Sequence, residues 1–391
     1  MKMLHIITGL NTGGAETMLY RLLAHMDRAL FEPEVISLMD IGPIGKKIQA
    51  MGIPVRALGM RQGIPNPLHV IRLIRWLKKD PPHVIQTWMY HADLIGGLAA
   101  KLVKDISVNW GIHHSNLDPE YTKRSTIWTV RACAFLSKWL PDQIVSCSEA
   151  SRRLHIEWGY PIDRIIVIPN GFDYNTHKPD PRARLTMRRE LEISDETPLI
   201  GLIARFSPLK DHFNFIEAAS LLHLRLSEAH FLLCGDDVVW GNTELAGWIK
   251  SANIHDRCHL LGRRDDVHQV MAALDIASSS SSGEAFPLVI GEAMLCGVPC
   301  VVTDVGDSAL IVGETGKVVP PKDPQSLACA WFELLKMEKE QRKQLGILAR
   351  QRVIENFSLD AVVHQYQMLY LRGMSIKGEL PANLIEHRDS Q

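Results

Sequence analysis

The chain has 391 residues, with 43 Lys and Arg against 44 Asp and Glu and a formal net charge of −1. Apolar residues make up 46% and charged residues 22%, a globular balance that excludes a disordered or collagen-like chain. This length predicts two domains of roughly 150–200 residues, and the near-neutral charge gives no electrostatic footprint for nucleic acid.

In chain order, the first predicted strand is Leu4–Ile7, running directly into glycines and then a helix from Ala15 to Met26. This start has no signal-peptide cleavage region, and no apolar run of roughly 18 residues follows it. Further strand-like runs are Glu34–Leu38, Val55–Leu58, Val84–Thr87, Ser107–Ile112, Gln143–Cys147 and Ile165–Ile168. Helical stretches near 67–79, 92–104, 125–139 and 148–158 separate them. Short apolar strands alternating with helices predict a parallel sheet covered on both faces.

A polar stretch with prolines at 179 and 181, then a charged helix, predicts a linker near 175–196. The strand pattern restarts at Leu199–Ala204 and continues through His230–Cys234, His259–Leu261, Ile276–Ser278, Cys300–Thr303 and Lys317–Val319. The segment 339–372 reads as one long helix whose Val362, Tyr366, Leu369 and Tyr370 share a buried face. Residues after about 375 read as a frayed polar tail. The fold class is therefore α/β, with two Rossmann-like doubly wound domains. The expected domains are 1–180 and 181–355, with 356–391 a helix and tail. Seven cysteines without a C-x-x-C pair predict free thiols and a reducing, cytoplasmic setting.

Chemistry-bearing residues fall in loops after strands. In Gly9-Leu10-Asn11-Thr12-Gly13-Gly14-Ala15-Glu16, Gly13 and Gly14 open a helix. They suit either a phosphate at the helix mouth or a plain tight turn. His113 and His114 end a strand, where one could meet a sugar or a leaving phosphate and either could simply fill space. Arg205 and Lys210 follow the first strand of the second half, a fork and a mobile point charge suited to phosphate oxygens or to surface ion pairs. Arg263 follows a later strand in a loop whose backbone could read a base, and Asp265 is the expected cap of the next helix.

The richest segment runs from Ser278 through Gly283-Glu284-Ala285-Phe286-Pro287-Leu288-Val289 to Glu292. Pro287 suits a first helical position, and Glu292 in the second turn leans back toward the mouth beside Glu284. Carboxylates accept from vicinal hydroxyls and free N–H groups suit phosphate, a combination that fits a sugar nucleotide. The basic helix Leu68–Lys79, with Arg72, Arg75, Lys78 and Lys79, fits either peripheral contact with an anionic membrane or an ordinary solvent face.

Taken in order, Gly13-Gly14-Ala15-Glu16, Ile168-Pro169-Asn170-Gly171-Phe172-Asp173, Arg205 with Lys210, and Glu284 eight residues before Glu292 resemble the family-4, group 1 glycosyltransferases of GT-B architecture. The likeness runs from about residue 4 to 372. It implies an interdomain cleft, a C-terminal helix crossing back to the first domain, and sugar transfer with retention from a UDP- or GDP-type donor. No metal and no cofactor are implied. The implied acceptor is a glycan or lipid-linked molecule of surface polysaccharide or lipid-linked glycan synthesis.

By the same resemblance, Arg205 and Lys210 hold the diphosphate, Glu284 contacts the donor sugar and Glu292 the ribose hydroxyls. Ala285, Phe286, Pro287, Leu288 and Val289 form the donor cradle with Arg263, while Gly13 and Gly14 close on it. His113 or His114 serves catalysis. Ser282 stands where many relatives carry an aromatic residue. A sugar-nucleotide 2-epimerase and a non-catalytic nucleotide-sugar-binding module fit the same architecture.

Overall fold

The computed structural model describes residues 1–61, 67–103 and 105–375. The tail expected to fray after 375 lies outside them. Two compact units form, one comprising Met1–Gly171 and the chain from Leu359, the other Phe172–Ser358.

In the first unit the strands are β1 (Lys2–Ile7), β2 (Glu32–Ser37), β3 (Val55–Ala57), β4 (Val84–Trp88), β5 (Ser107–Ile112), β6 (Gln143–Ser146) and β7 (Ile165–Val167). They form one sheet in the order β3-β2-β1-β4-β5-β6-β7, every pair parallel. β4 and β5 are buried along their whole length, as a sheet covered by helices on both faces requires. One face packs Met3, Ile7 and Trp88 with Val362, Tyr366 and Tyr370 from the helix Leu359–Ser375. The other packs Ile6, Ile85 and Trp110 with Leu73, Leu77, Val130 and Cys133.

In the second unit the strands are β8 (Leu199–Ile203), β9 (His230–Cys234), β10 (Cys258–Leu260), β11 (Ile276–Ser279), β12 (Cys300–Thr303) and β13 (Lys317–Val319). Their order is β10-β9-β8-β11-β12-β13, again all parallel. Trp331 is fully buried against Phe215, and its indole N–H donates to Ser278 Oγ at 3.1 Å, so the one polar atom of a large core ring is satisfied.

Several expectations need correction. The chain leaves the first unit after Gly171 and returns after Ser358, instead of changing at 180 and 355. Phe172 belongs with the second unit because its ring stacks on Phe286 and its N–H donates to Phe357 O at 3.0 Å. The segment 339–372 is two helices, Lys339–Phe357 and Leu359–Ser375, interrupted by Ser358 in extended backbone (ψ 143°).

The stretch 175–196 is an integral part of the second unit. Its helix Pro181–Glu190 carries Arg188, which is buried and pairs with Asp275 at 2.7 Å while donating to Ala273 O and Thr197 O. Charge made this helix look like a linker, yet Arg184 and Arg188 turn inward to Asp275 while Arg182 and Arg189 stay exposed. A helix at Gly42–Ala50, hidden by its Gly42-Pro43 start, was also unexpected.

Candidate active site

In the second unit the chain runs outward from β8 to β9 and β10, then returns to place β11 on the other side of β8. The gap between the carboxyl ends of β8 and β11 is therefore the switch point at which a doubly wound sheet presents its ligand crevice. Lys210 follows β8 and Glu284 follows β11, and the two side chains form an ion pair there.

The pair is held by its loops. Ser282 N–H donates to Leu209 O at 2.9 Å, and Ser280 Oγ donates to Lys210 O at 3.0 Å. Ser281 Oγ donates to Glu284 Oε1 at 2.7 Å, and Thr303 Oγ1 to Ser281 O at 2.6 Å. The serine run thus ties the β8 and β11 loops together, with Ser281 orienting the carboxylate. The loop after β12 closes on the same backbone. Asp307 N–H donates to Ala285 O at 3.0 Å, and Gly306 (φ +58°) approaches so closely that a Cβ there would collide with Glu284 O. Ser281, Gly306 and Asp307 were missed as site residues; a glycine just past a strand's carboxyl end was the available signal.

The helix Leu288–Leu295 begins one residue later than expected, with Pro287 as its N-cap and no side-chain cap. Pro287 offers no N–H, so the N–H groups of Leu288 and Val289 form the helix mouth. Glu292 lies in the second turn, half-buried. Phe286 points away from this mouth: it is buried among Phe172 and Phe357, and only its backbone remains for a ligand. Gly291 sits against the Phe172 ring with no room for a side chain.

Arg205 is exposed in the loop after β8, whose Phe206 N–H donates to Asp236 O at 2.8 Å. Arg263, in the loop after β10, is exposed and lies 3.7 Å from Asp236, an open pair of little energetic weight. Asp265 does not cap the following helix. Asp266 occupies that position, and its carboxylate pairs with Arg264 at 2.7 Å instead of bonding the helix N–H groups. Arg205, Lys210, Arg263 and Glu284 thus all lie along one edge of the second sheet.

The remaining expected residues lie in the first unit, at the carboxyl edge of its sheet. His113 follows β5 and stacks on Trp88 with centroids 4.9 Å apart. Both its ring nitrogens are shielded and have no hydrogen-bond partner among the described residues, and burial pulls its pKa down to about 4. It is a neutral imidazole at physiological pH. His114 is exposed and meets the Tyr90 ring edge-on. Gly13 caps the helix Gly14–His25 in extended backbone, and the Glu16 carboxylate lies against it, so a negative group already sits at that helix end. Gly14 has open space around its Cα, with nothing within 4 Å of an added Cβ.

Comparison with known proteins gives concordant results. The family model for glycosyl transferases group 1 matches residues 183–352, and that for glycosyltransferase family 4 matches residues 12–176. The UDP-Gal:alpha-D-GlcNAc-diphosphoundecaprenol alpha-1,3-galactosyltransferase of Escherichia coli is 25% identical over 318 residues, 77% of this chain and 78% of that protein. The N-acetyl-alpha-D-glucosaminyl L-malate synthase of Bacillus anthracis is 31% identical over 191 residues, 48% of this chain and 49% of that protein. Among solved structures, Anabaena Alr3699/HepE in complex with UDP and glucose superposes with a TM-score of 0.81 at 25% identity, covering 94% of this chain and 99% of that one.

Proposed function

Because this chain belongs to the group 1, family-4 glycosyltransferases, we propose that it moves a sugar with retention from a UDP- or GDP-type donor to a hydroxyl of a glycan or lipid-linked acceptor. The observation that carries the reading is the Lys210–Glu284 pair at the switch point of the second sheet, beside an uncapped helix mouth. The bound nucleotide and sugar of the Anabaena structure and the lipid diphosphate in the name of the E. coli relative support the donor and acceptor classes.

In this reading the departing nucleoside diphosphate gathers negative charge, which Lys210, Arg205 and the N–H groups of Leu288 and Val289 stabilise. No metal and no cofactor takes part. Glu284, an acceptor held by Lys210 and Ser281, receives hydrogen bonds from donor-sugar hydroxyls. Glu292 takes the ribose hydroxyls, and Arg263 stands beside the base.

Retention through a covalent enzyme intermediate needs a carboxylate free to attack the sugar. Glu284 is engaged by a lysine and a serine, so the reading uses same-face attack by the acceptor hydroxyl, whose proton passes to the leaving phosphate. The atoms balance: the bond from the sugar's anomeric carbon to phosphate oxygen breaks, and one to acceptor oxygen forms.

The test incubates the purified chain, with and without chelator, against UDP- and GDP-sugars, and follows product anomers by NMR. Expected are nucleoside diphosphate release that depends on acceptor, an unchanged rate with chelator, and an anomer matching the donor. Inverted product, or chelator-abolished activity, overturns the corresponding part. Sugar-nucleotide interconversion without acceptor would make the chain an epimerase, and binding without turnover a binding module.

A further inference from the structure

Four consecutive serines, Ser278 to Ser281, run off the carboxyl end of β11, and all four are buried. Alanine would fill such positions with no hydroxyl to satisfy, whereas each buried hydroxyl needs a partner. Side chains alternate across a strand, and the partners follow that alternation. Ser278 Oγ accepts from the Trp331 indole N–H at 3.1 Å, and Ser280 Oγ donates to Lys210 O at 3.0 Å. Ser279 Oγ donates to Ser281 Oγ at 3.3 Å, and Ser281 Oγ donates to Glu284 Oε1 at 2.7 Å.

Ser279 and Ser281 form a chain with one direction. An ionised carboxylate only accepts, so the Ser281 hydrogen is committed to Glu284, and the Ser281 oxygen takes the hydrogen of Ser279. Each bond polarises the next. The Ser279 hydroxyl has no other partner among the described residues, so its one use ends at the carboxylate. Lys210 Nζ donates to the same carboxylate oxygen, Oε1, and Thr303 Oγ1 holds Ser281 through its carbonyl at 2.6 Å. Two donors on one oxygen fix how the carboxylate is turned as well as where it lies. Ser280 has no bond to the carboxylate; it grips the main chain of Lys210 at the end of the turn Pro208–Lys210.

We infer that the run divides its work between the two parts of a sugar-nucleotide donor: Ser279 and Ser281 are positioning residues that set which sugar hydroxyl Glu284 accepts, while Ser280 positions Lys210 for the diphosphate. The inference rests on the donor reading and adds to it the residues that decide sugar selectivity. A carboxylate aimed by hydrogen bonds discriminates between sugars that differ at one hydroxyl, because the wrong epimer leaves a shielded acceptor unpaired. A carboxylate released to swing re-aims and accepts from either epimer. Ser279 touches no ligand and acts only through Ser281.

The experiment measures, in the whole chain, calorimetric affinity for the nucleoside diphosphate that the wild type binds, UDP or GDP. It also measures nucleotide release from the glucose, galactose and mannose donors of that nucleotide, the latter two each differing from the first at one hydroxyl. The wild type should prefer one sugar. Ser281→Ala lowers kcat with that sugar about 10-fold or more and Ser279→Ala about 3-fold or more, the weights of a bond to a charged and to a neutral group. Both variants retain nucleotide affinity, and in both the preference shrinks toward parity. Ser280→Ala weakens nucleotide binding about 5-fold or more and keeps the preference. Ser278→Ala, whose hydroxyl serves Trp331, lowers the unfolding midpoint and changes neither property.

Serine variants that lose affinity and preference together, or lose neither, overturn the inference while the wild-type rates uphold the donor reading. A wild type that releases nucleotide from all three donors at equal rates also overturns the inference alone. A wild type that binds neither UDP nor GDP overturns the donor reading and the inference with it. Circular dichroism checks folding, and Ser279→Ala, one bond further from the carboxylate, carries the test if Ser281→Ala does not fold.

Discussion

Lys210 and Glu284 stand 74 residues apart in the chain and form an ion pair across the switch point of the second sheet. Each comes from a loop that the other loop buttresses, so a cation and a carboxylate are set side by side before any ligand arrives. Their effects on binding and turnover should separate.

Replacing Glu284→Ala releases Lys210 to an incoming anion, so calorimetric UDP affinity holds or rises while turnover falls at least about 100-fold, the loss expected when a transition-state contact goes. Lys210→Ala acts on the diphosphate itself and weakens UDP binding about 10-fold or more. Parallel losses in both variants would mean that the pair only braces the loops.

Gly306→Ala places a methyl group against Glu284 O in left-handed backbone, and the β11 loop must shift. Turnover should drop well beyond any loss of stability. Gly291→Ala meets the Phe172 ring and should cost about 1–3 kcal/mol of unfolding free energy through overpacking. Urea titration of each variant checks the contrast.

Arg188→Ala leaves Asp275 paired with Arg184 at 3.0 Å but strips Ala273 O, Ser194 O and Thr197 O of a buried donor, and a cost of about 1–3 kcal/mol follows from the unsatisfied carbonyls. A change below about 1 kcal/mol, the scale of a surface pair, would return the Pro181–Glu190 helix to the status of a linker.

The first unit should lose stability in acid. Burial pulls His5 down to about 3, and His113 and His155 to about 4, against 6.5 for the open chain. The unfolded chain therefore binds more protons at these three residues as pH falls from 6.5 toward 4, and stability drops across that window. Asp93 acts in the opposite sense, because burial pushes its carboxyl up to about 8, and it costs stability as pH rises from 3.8 to 8. Three protons against one leave a net acid loss, with a gentler decline from pH 6.5 to 8 that Asp93→Asn should flatten. Urea midpoints across this range test both limbs.

How much could be read in advance differs from residue to residue. Ser107–Ile112, His230–Cys234, Cys300–Thr303 and Lys317–Val319 match their predicted strands end for end, because apolar runs between turn residues are local signals. The break at Ser358 had no glycine or proline to announce it. Arg188 looked like solvent-facing charge because its partner Asp275 lies 87 residues away.

By itself the amino-acid sequence determined two parallel α/β units and the loops that bear the chemistry, since periodicity and turn composition act over a few residues. Only the tertiary structure decided that Lys210 meets Glu284, that Ser281 orients the carboxylate and that His113 is shielded while His114 is exposed. These depend on strand order and side-chain direction, which bring distant residues together through packing that no local pattern encodes.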